Sequence, residues 1–299
     1  MKKRVVILGV PFSFGSDIKG PETAPDYIRN EGLVETLEGL GYSVDDWGNV
    51  EAGRDAPEEY HGKMKHCNEV VSVCGAVAGK VEDIVADDAV PLILGGDHSI
   101  TIGVAAGLRK AKTDVGLICF DAHGDFNTEL TSITENIHGM VVSACVGIGD
   151  EALAACLDIC PKVEQGNVAM IGLRNTDPEE RKKLKESRIN IFTMEDIDLR
   201  GMGEVMHEAI EKLSHCSDGV HVSFDMDVVD DREAPGVSLP VHGGLSYRET
   251  HLAMELLSDS ELVTSMDMVE VNPGCDMRNT TSHLAVEFIA SLFGKRIIE

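Results

Sequence analysis

Short apolar runs recur along the chain and alternate with longer stretches of helical period. Eight runs read as strands: Arg4 to Val10, Tyr42 to Trp47, Val90 to Leu94, Val115 to Phe120, Asn167 to Ile171, Ile189 to Phe192, Val220 to Phe224 and Val263 to Val271. Between them, apolar positions three and four apart predict helices over Tyr27 to Leu40, Glu59 to Ala86, Thr101 to Lys112, Pro178 to Glu186, Met202 to Ser214, Tyr247 to Leu257 and Ser282 to Phe293. Several strands, Pro91-Leu92-Ile93-Leu94 among them, are apolar on both faces, the pattern of parallel strands covered by helices on both sides. The expected fold is therefore α/β, a doubly wound, mostly parallel sheet in a three-layer sandwich. No Pro/Ser-rich linker, low-complexity tract or internal repeat interrupts the alternation, so residues 1–299 read as one domain.

Charge narrows the partners. The chain carries 26 Lys and Arg against 52 Asp and Glu, a formal charge of −26, and no basic run is larger than Arg181-Lys182-Lys183. Such a surface repels phosphate backbones and anionic leaflets, so neither nucleic acid nor membrane is expected as a partner. We read the acidity as ordinary solubility charge, with adaptation to high salt or acid as the alternative. No apolar run approaches the ~18 residues of a spanning helix. The basic then apolar start at Met1 lacks the length and cleavage site of a secretory signal, which makes cytoplasmic localisation the expectation. Eight cysteines without Cys-x-x-Cys spacing read as reduced, buried thiols; Cys156 and Cys160, four apart, have the spacing of one helix face.

Ligands of doubly wound sheets bind beyond the carboxyl ends of the strands. There the sequence places Gly95-Gly96-Asp97-His98-Ser99 after the third run, Asp121-Ala122-His123-Gly124-Asp125 after the fourth, and Asp225-Met226-Asp227 after the seventh. Side chains at i, i+2 and i+4 of an extended segment share a face, so Asp121, His123 and Asp125 converge, as do Asp225 and Asp227. Singly, each motif has an ordinary reading as a loop histidine or a capping Asp-x-Asp. Their conjunction at three buried strand ends points to a site. Four carboxylates in one cleft raise one another's pKa unless cations neutralise them, and two divalent ions balance four Asp. Two imidazoles and four carboxylates without a thiolate favour Mn²⁺, with Co²⁺, Ni²⁺ or Zn²⁺ as substitutes. A pair of ions roughly 3.5 to 4 Å apart can generate hydroxide near neutral pH, and the resulting cleft suits a small cationic substrate.

Nearly end to end, the chain resembles the ureohydrolase family. The resemblance is carried by Gly9-Val10-Pro11-Phe12-Ser13, Leu94 to Ser99, Asp121 to Asp125, Ile171-Gly172-Leu173-Arg174, Ser223 to Asp227, Ala234-Pro235-Gly236 and Val269-Glu270-Val271-Asn272-Pro273. The stretch Asp125 to Ser132, followed by Asn136-Ile137-His138-Gly139, is similar to the arginase branch of that family. The resemblance implies hydrolysis of L-arginine to L-ornithine and urea at a two-Mn²⁺ site held by His98, Asp121, His123, Asp125, Asp225 and Asp227. It implies that Asp125 passes a proton to the departing amine, that His138 relays protons to bulk water, and that Glu270 grips the guanidinium. Asn127 and Thr134 match positions that hold the α-carboxylate, Asp177 one that meets the α-ammonium, and Asn136 falls in the same substrate-binding stretch. Family members form trimers or hexamers, so a homotrimer or homohexamer is implied here.

Three positions depart from the family pattern. Asp230-Asp231 stands where Asp-Pro is usual, freeing a φ angle, so a looser loop is expected there. Leu239 stands where arginases usually place a threonine near the guanidinium pocket, which removes a hydroxyl; Thr134 replaces the commoner serine and keeps one. Some formimidoylglutamases carry a Pro-Gly-Val-Ser segment like Pro235 to Ser238, so a formimino acid or another guanidino compound such as agmatine stays open as substrate. An inactive, metal-binding family member is the remaining alternative, and the completeness of the ligand set argues against it.

Overall fold

A computed structural model describes residues 3–51 and 62–298. All eight expected strands form, each within two residues of its expected ends: β1 (Arg4–Gly9), β2 (Ser43–Asn49), β3 (Val90–Leu94), β4 (Gly116–Phe120), β5 (Val168–Leu173), β6 (Asn190–Thr193), β7 (Val220–Asp225) and β8 (Val263–Val269). They build one sheet in the order β2-β1-β3-β8-β7-β4-β5-β6, parallel at every pairing. The alternation of side chains fills two separate cores. Val5 and Ile7 of β1, Ile118 and Phe120 of β4, and Val222 and Phe224 of β7 enter one core, while Val6, Leu8, Leu117 and Cys119 enter the other.

The helices, in chain order, are α1 (Ala24–Asn30), α2 (Leu33–Gly39), α3 (Cys67–Ala86), α4 (Thr101–Ala111), α5 (Val141–Cys145), α6 (Glu151–Ala154), α7 (Pro178–Glu186), α8 (Met194–Arg200), α9 (Met202–Leu213), α10 (Tyr247–Ser260) and α11 (Thr280–Leu292). Side chains of α1, α2, α9, α10 and α11 line the first core, and those of α3, α4 and α5 the second. The helix expected over Tyr27 to Leu40 is two, because Gly32 takes the left-handed conformation (φ 81°) between α1 and α2. The helix expected from Glu59 begins at Cys67; residues 59–61 lie outside the described residues. Short α5, α6 and α8 were not expected. Helices α3 and α4 approach closely because Gly103 and Gly107 carry no Cβ, which would meet the backbone carbonyls of Cys74 and Ala78 at 2.7 and 2.6 Å.

All eight cysteines are free thiols, but Cys160 and Cys275 are exposed, which corrects the expectation that all are buried. Cys156 begins a short 3-10 turn that ends at Asp158, so it shares no helix with Cys160. Among the described residues no helix is long and apolar enough to cross a membrane.

On α11, fully buried Phe288 packs its ring 5.9 Å from Phe224 and edge-on to His251 at 5.1 Å. Phe288→Ala is expected to lower stability by about 3–5 kcal/mol, read from the urea midpoint at unchanged slope. An unshifted midpoint would mean that α11 does not seal this core.

The topology creates the crevice. The connections carry the chain out to β5 and β6 and then back, so β7 and β8 fill the gap between β3 and β4. The carboxyl ends of β3, β8, β7 and β4 therefore stand side by side at a switch point, where connections leave in opposite directions.

Candidate metal centre and substrate cavity

Each strand end delivers one part of the site. His98 opens a 3-10 turn after β3, Asp121, His123 and Asp125 follow β4, and Asp225 closes β7 with Asp227 in the turn beyond it. Nδ1 of His98 lies 3.2, 3.0 and 3.3 Å from carboxylate oxygens of Asp121, Asp125 and Asp225. Nδ1 of His123 lies 2.9 Å from Asp227 and 3.5 Å from Asp121. Asp121 thus belongs to both groups, with Oδ2 toward His98 and Oδ1 toward His123. The six side chains expected to converge do so, and all are buried except half-buried His123.

The arrangement fits cations. One ring nitrogen cannot serve three carboxylates, and His98 Nδ1 and Asp121 Oδ2 are buried with no hydrogen-bond partner. Atoms aimed at a common point without bonding one another are what a ligand shell leaves. The metal-free charges conflict. Burial, and then the charges of Asp227 and Asp121, push the Asp225 carboxyl well above its ordinary value. Burial and Asp121 push Asp125 up to about 6. Burial opposes charge on His98, yet the carboxylates of Asp121, Asp125 and Asp225 hold its pKa well above the ordinary value. Divalent ions would relieve that crowding.

Residues behind His98 fix which nitrogen faces the centre. Its Nε2 lies 3.0 Å from Ser223 Oγ, and that hydroxyl donates to Asp267 at 2.7 Å. The hydroxyl proton is committed to Asp267, so Nε2 must be the N–H donor and Nδ1 keeps its lone pair for a cation. The Cys119 thiol lies near both His98 and Asp121 but approaches His98 at Nε2 (3.9 Å), the nitrogen turned away from the carboxylates, and burial pushes it up to about 12 in the metal-free protein.

A cavity of ≈ 330 Å³ opens over these carboxylates. Asn127, Thr134, Asn136, His138, Asp177 and Glu270 line it, so the expected substrate contacts are brought together. The strand expected to reach Val271 ends at Val269, because Glu270 turns into the left-handed region (φ 59°) and aims its carboxylate at the cavity. Such a conformation costs about 1–3 kcal/mol in a non-glycine residue and is typical of functional positions. One Glu270 oxygen accepts the His98 amide at 2.9 Å and lies 3.1 Å from His138 Nδ1. Burial alone would raise the Glu270 carboxyl, yet His138 beside it holds it below its ordinary value. In return, although burial opposes its charge, His138 is raised to about 9 by Glu270. Asn127 donates to Asp177 at 3.1 Å, and the amide oxygens of Asn127 and Asn136 are buried without partners.

A sequence model described as the Arginase family matches residues 3–294. The chain belongs to the arginase family. It is similar to the arginase of Bacillus subtilis, 43% identical over 298 residues and 100% of both chains. The solved structure of the arginase from Bacillus caldovelox matches 99% of this chain and 100% of its own, at 41% identity and a TM-score of 0.95. A structure of Entamoeba histolytica arginase in complex with L-ornithine matches at 29% identity and a TM-score of 0.89, covering 98% and 99% of the two chains. Membership in the arginase family makes the chain a metal-dependent hydrolase and implies a dinuclear metal site.

Sequence reasoning missed several residues of this arginase-like site. Glu180 of α7 is buried against the cavity, accepts the amides of Phe126 and Asp177, and is raised to about 7 by burial. The signal was Asp177-Pro178-Glu179-Glu180, a capping box whose two carboxylates both face the cavity. Asp267, fully buried in apolar β8, also accepts from Thr101 and lies 3.0 Å from His221 Nε2.

The loop expected to be looser is tightly held. Both Asp230 oxygens bind the Arg232 guanidinium at 2.6 and 3.1 Å, the Gly243 amide donates to the same carboxylate, and Asp231 lies 2.8 Å from His242. These contacts replace the φ restraint that a proline would supply. Leu239 lines the cavity with its side chain exposed.

Proposed function

We propose that this chain hydrolyses L-arginine to L-ornithine and urea with two bound Mn²⁺ ions. The observation that carries the reading is one cavity in which a doubly grouped Asp/His centre adjoins Glu270 and the Asn127–Asp177 pair. The first part suits a guanidinium under attack by water, and the second the charged head of an amino acid.

His98, Asp121, Asp125 and Asp225 would hold one ion, and Asp121, His123 and Asp227 the other. When bound, the ions supply Lewis acidity that lowers the pKa of water and stabilises negative charge on the reacting centre. Glu270 binds the guanidinium by charge-assisted hydrogen bonds, oriented by the His98 amide and His138. Asp125 takes the proton of the attacking water and delivers it to the departing amine nitrogen. His138, at the cavity wall and held charged by Glu270, exchanges protons with bulk water. Asn127, Asn136 and rim residue Thr134 face the α-carboxylate, and Asp177, with Glu180 beside it, faces the α-ammonium.

The test is urea release by the Mn²⁺-loaded protein with L-arginine, agmatine and other guanidino acids in parallel, and formamide release from N-formimino-L-glutamate. Arginine turnover alone is expected. Turnover of another substrate with arginine inert would overturn the specificity and leave the hydrolase; no turnover at all would favour the inactive reading. Asp177→Ala is expected to raise KM for L-arginine about 10- to 100-fold, the worth of one charged hydrogen bond, with kcat within a few-fold. An unchanged KM would remove Asp177 from the head-group site.

Residues 1–299 act as one catalytic domain, supported by a single sheet that takes strands from Arg4 to Val269. We place the protein in the cytoplasm on the strength of its eight free thiols. A homotrimer or homohexamer rests on the family resemblance and is decided by sedimentation velocity.

A further inference from the structure

Arg174 belongs to the Ile171-Gly172-Leu173-Arg174 motif, to which no role above has been given. It lies just past β5, and the sheet order places β4 between β5 and β7. Its guanidinium nevertheless reaches across the end of β4 to the turn that follows β7. One terminal nitrogen donates to the carbonyls of Val228 at 3.0 Å and Gly172 at 3.3 Å. The other donates to the carbonyls of Asp227 at 2.7 Å and Val241 at 2.8 Å. Its own amide donates to the carbonyl of Ala122 at 2.9 Å, between Asp121 and His123. One side chain and its backbone thus tie together the two segments that carry Asp121, His123 and Asp227.

The contacts are selective. Asp125 and Asp225 are held by other means: the Asp125 carbonyl accepts the amides of Val142 and Ser143 at the start of α5, and Asp225 closes a strand paired on both sides. The Ala122 amide also donates to the Asp227 carboxylate at 3.1 Å and the Leu245 amide to the Val228 carbonyl at 2.9 Å, and among the described residues Arg174 is the side chain that donates to the carbonyls of both Asp227 and Val228. The planar fork meets several carbonyls at once, whereas a lysine ammonium is a point charge on a flexible stem. Burial opposes its charge, but the carboxylates of Asp227, Asp121, Asp230 and Asp225 favour it.

We infer that Arg174 is a positioning residue for the cation site of Asp121, His123 and Asp227, and that its loss weakens that site more than the site around His98, with which it shares Asp121 but which also has Asp125 and Asp225. The inference rests on the two-cation reading. The four hydrogen bonds of its guanidinium all go to backbone carbonyls, of Gly172, Asp227, Val228 and Val241, and to none of the substrate-contacting side chains named above.

The experiment titrates Mn²⁺ into the metal-free full-length chain, reading free Mn²⁺ by its electron paramagnetic resonance signal, for wild type, Arg174→Lys and Arg174→Met. Wild type is expected to bind two ions. Arg174→Met is expected to bind the first as wild type does and the second about 10- to 100-fold more weakly, the usual effect of losing an outer-sphere support. Arg174→Lys should also weaken the second ion, since it keeps the charge and loses the fork; it carries the comparison alone should Arg174→Met fail to fold. With excess Mn²⁺, kcat should recover toward wild type at unchanged KM for L-arginine. A merely structural role would lower the melting temperature and loosen both ions alike, which would overturn the inference, as would wild-type affinity for the second ion in both variants. Failure of wild type to bind Mn²⁺ would overturn the two-cation reading and this inference with it.

Discussion

Asp125→Asn is expected to lower kcat for L-arginine about 10³-fold or more while leaving the fold intact. Asparagine matches aspartate in shape, and the backbone of residue 125 is fixed independently by the two amides of α5 that its carbonyl accepts. What disappears is a buried carboxylate 3.0 Å from His98, which burial and Asp121 place at about 6 in the metal-free protein. A carboxylate can both accept and deliver a proton, and an amide can do neither. Because Asp125 is also a proposed ligand, the assay requires metal analysis of the same preparation and saturating Mn²⁺. Turnover within about ten-fold of wild type, with two ions bound, would assign the proton transfer to another group.

The readable and unreadable parts of this molecule differ by the range of the interactions involved. The six inner strands were legible because burial on both faces leaves a largely apolar run, the partly exposed edge strands β2 and β6 showed as β-branched and aromatic runs, and eight such runs separated by helical period have few other solutions. The ligands were legible because Asp121-x-His123-x-Asp125 and Asp225-x-Asp227 are local patterns at strand ends. Glu180, Arg174 and Asp267 were not, since each takes its meaning from a distant partner. Glu180 reads as a helix cap until the fold brings the amide of Phe126 to its carboxylate. Arg174 reads as the end of a strand until β7 is placed two positions away in the sheet. The loop at Asp230 illustrates the same limit from the other side: a missing proline predicts freedom, and contacts from Arg232 and Gly243 remove it. Gly32, by contrast, was a local signal overridden by the apolar period that runs through it from Tyr27 to Leu40.

Chelation of the divalent ions is expected to lower the melting temperature by about 10 °C or more near pH 8, and by less near pH 5.5. Each site occupied at about 100 times its Kd contributes roughly 2.7 kcal/mol, and two such contributions correspond to a shift of that order in a chain of this size. The pH dependence follows from the protons that the ions replace. In the metal-free fold, burial and neighbouring carboxylates raise Asp125 from 3.8 to about 6 and Asp225 well above 3.8. The fold therefore keeps protons that the unfolded chain has released, and its stability falls as pH rises through that window. The histidines act in the same direction. Although burial opposes it, the carboxylates hold His98 well above 6.5 and raise His123 from 6.5 to about 12, so stability present below 6.5 is lost as pH climbs toward the folded values. Asp121 and Glu270 have the opposite sign: burial would raise them, but the histidines beside them lower both, so what they contribute is lost only as pH falls below the ordinary carboxylate range. Between about pH 5 and 8 the metal-free protein thus weakens steadily, while cation binding, which needs deprotonated ligands, strengthens. Thermal melts with chelator and with Mn²⁺ across this range measure the gap directly. A gap that widens with pH is the expected result; a melting temperature indifferent to Mn²⁺, or a gap widest in acid, would mean that the buried carboxylates are not the ligands.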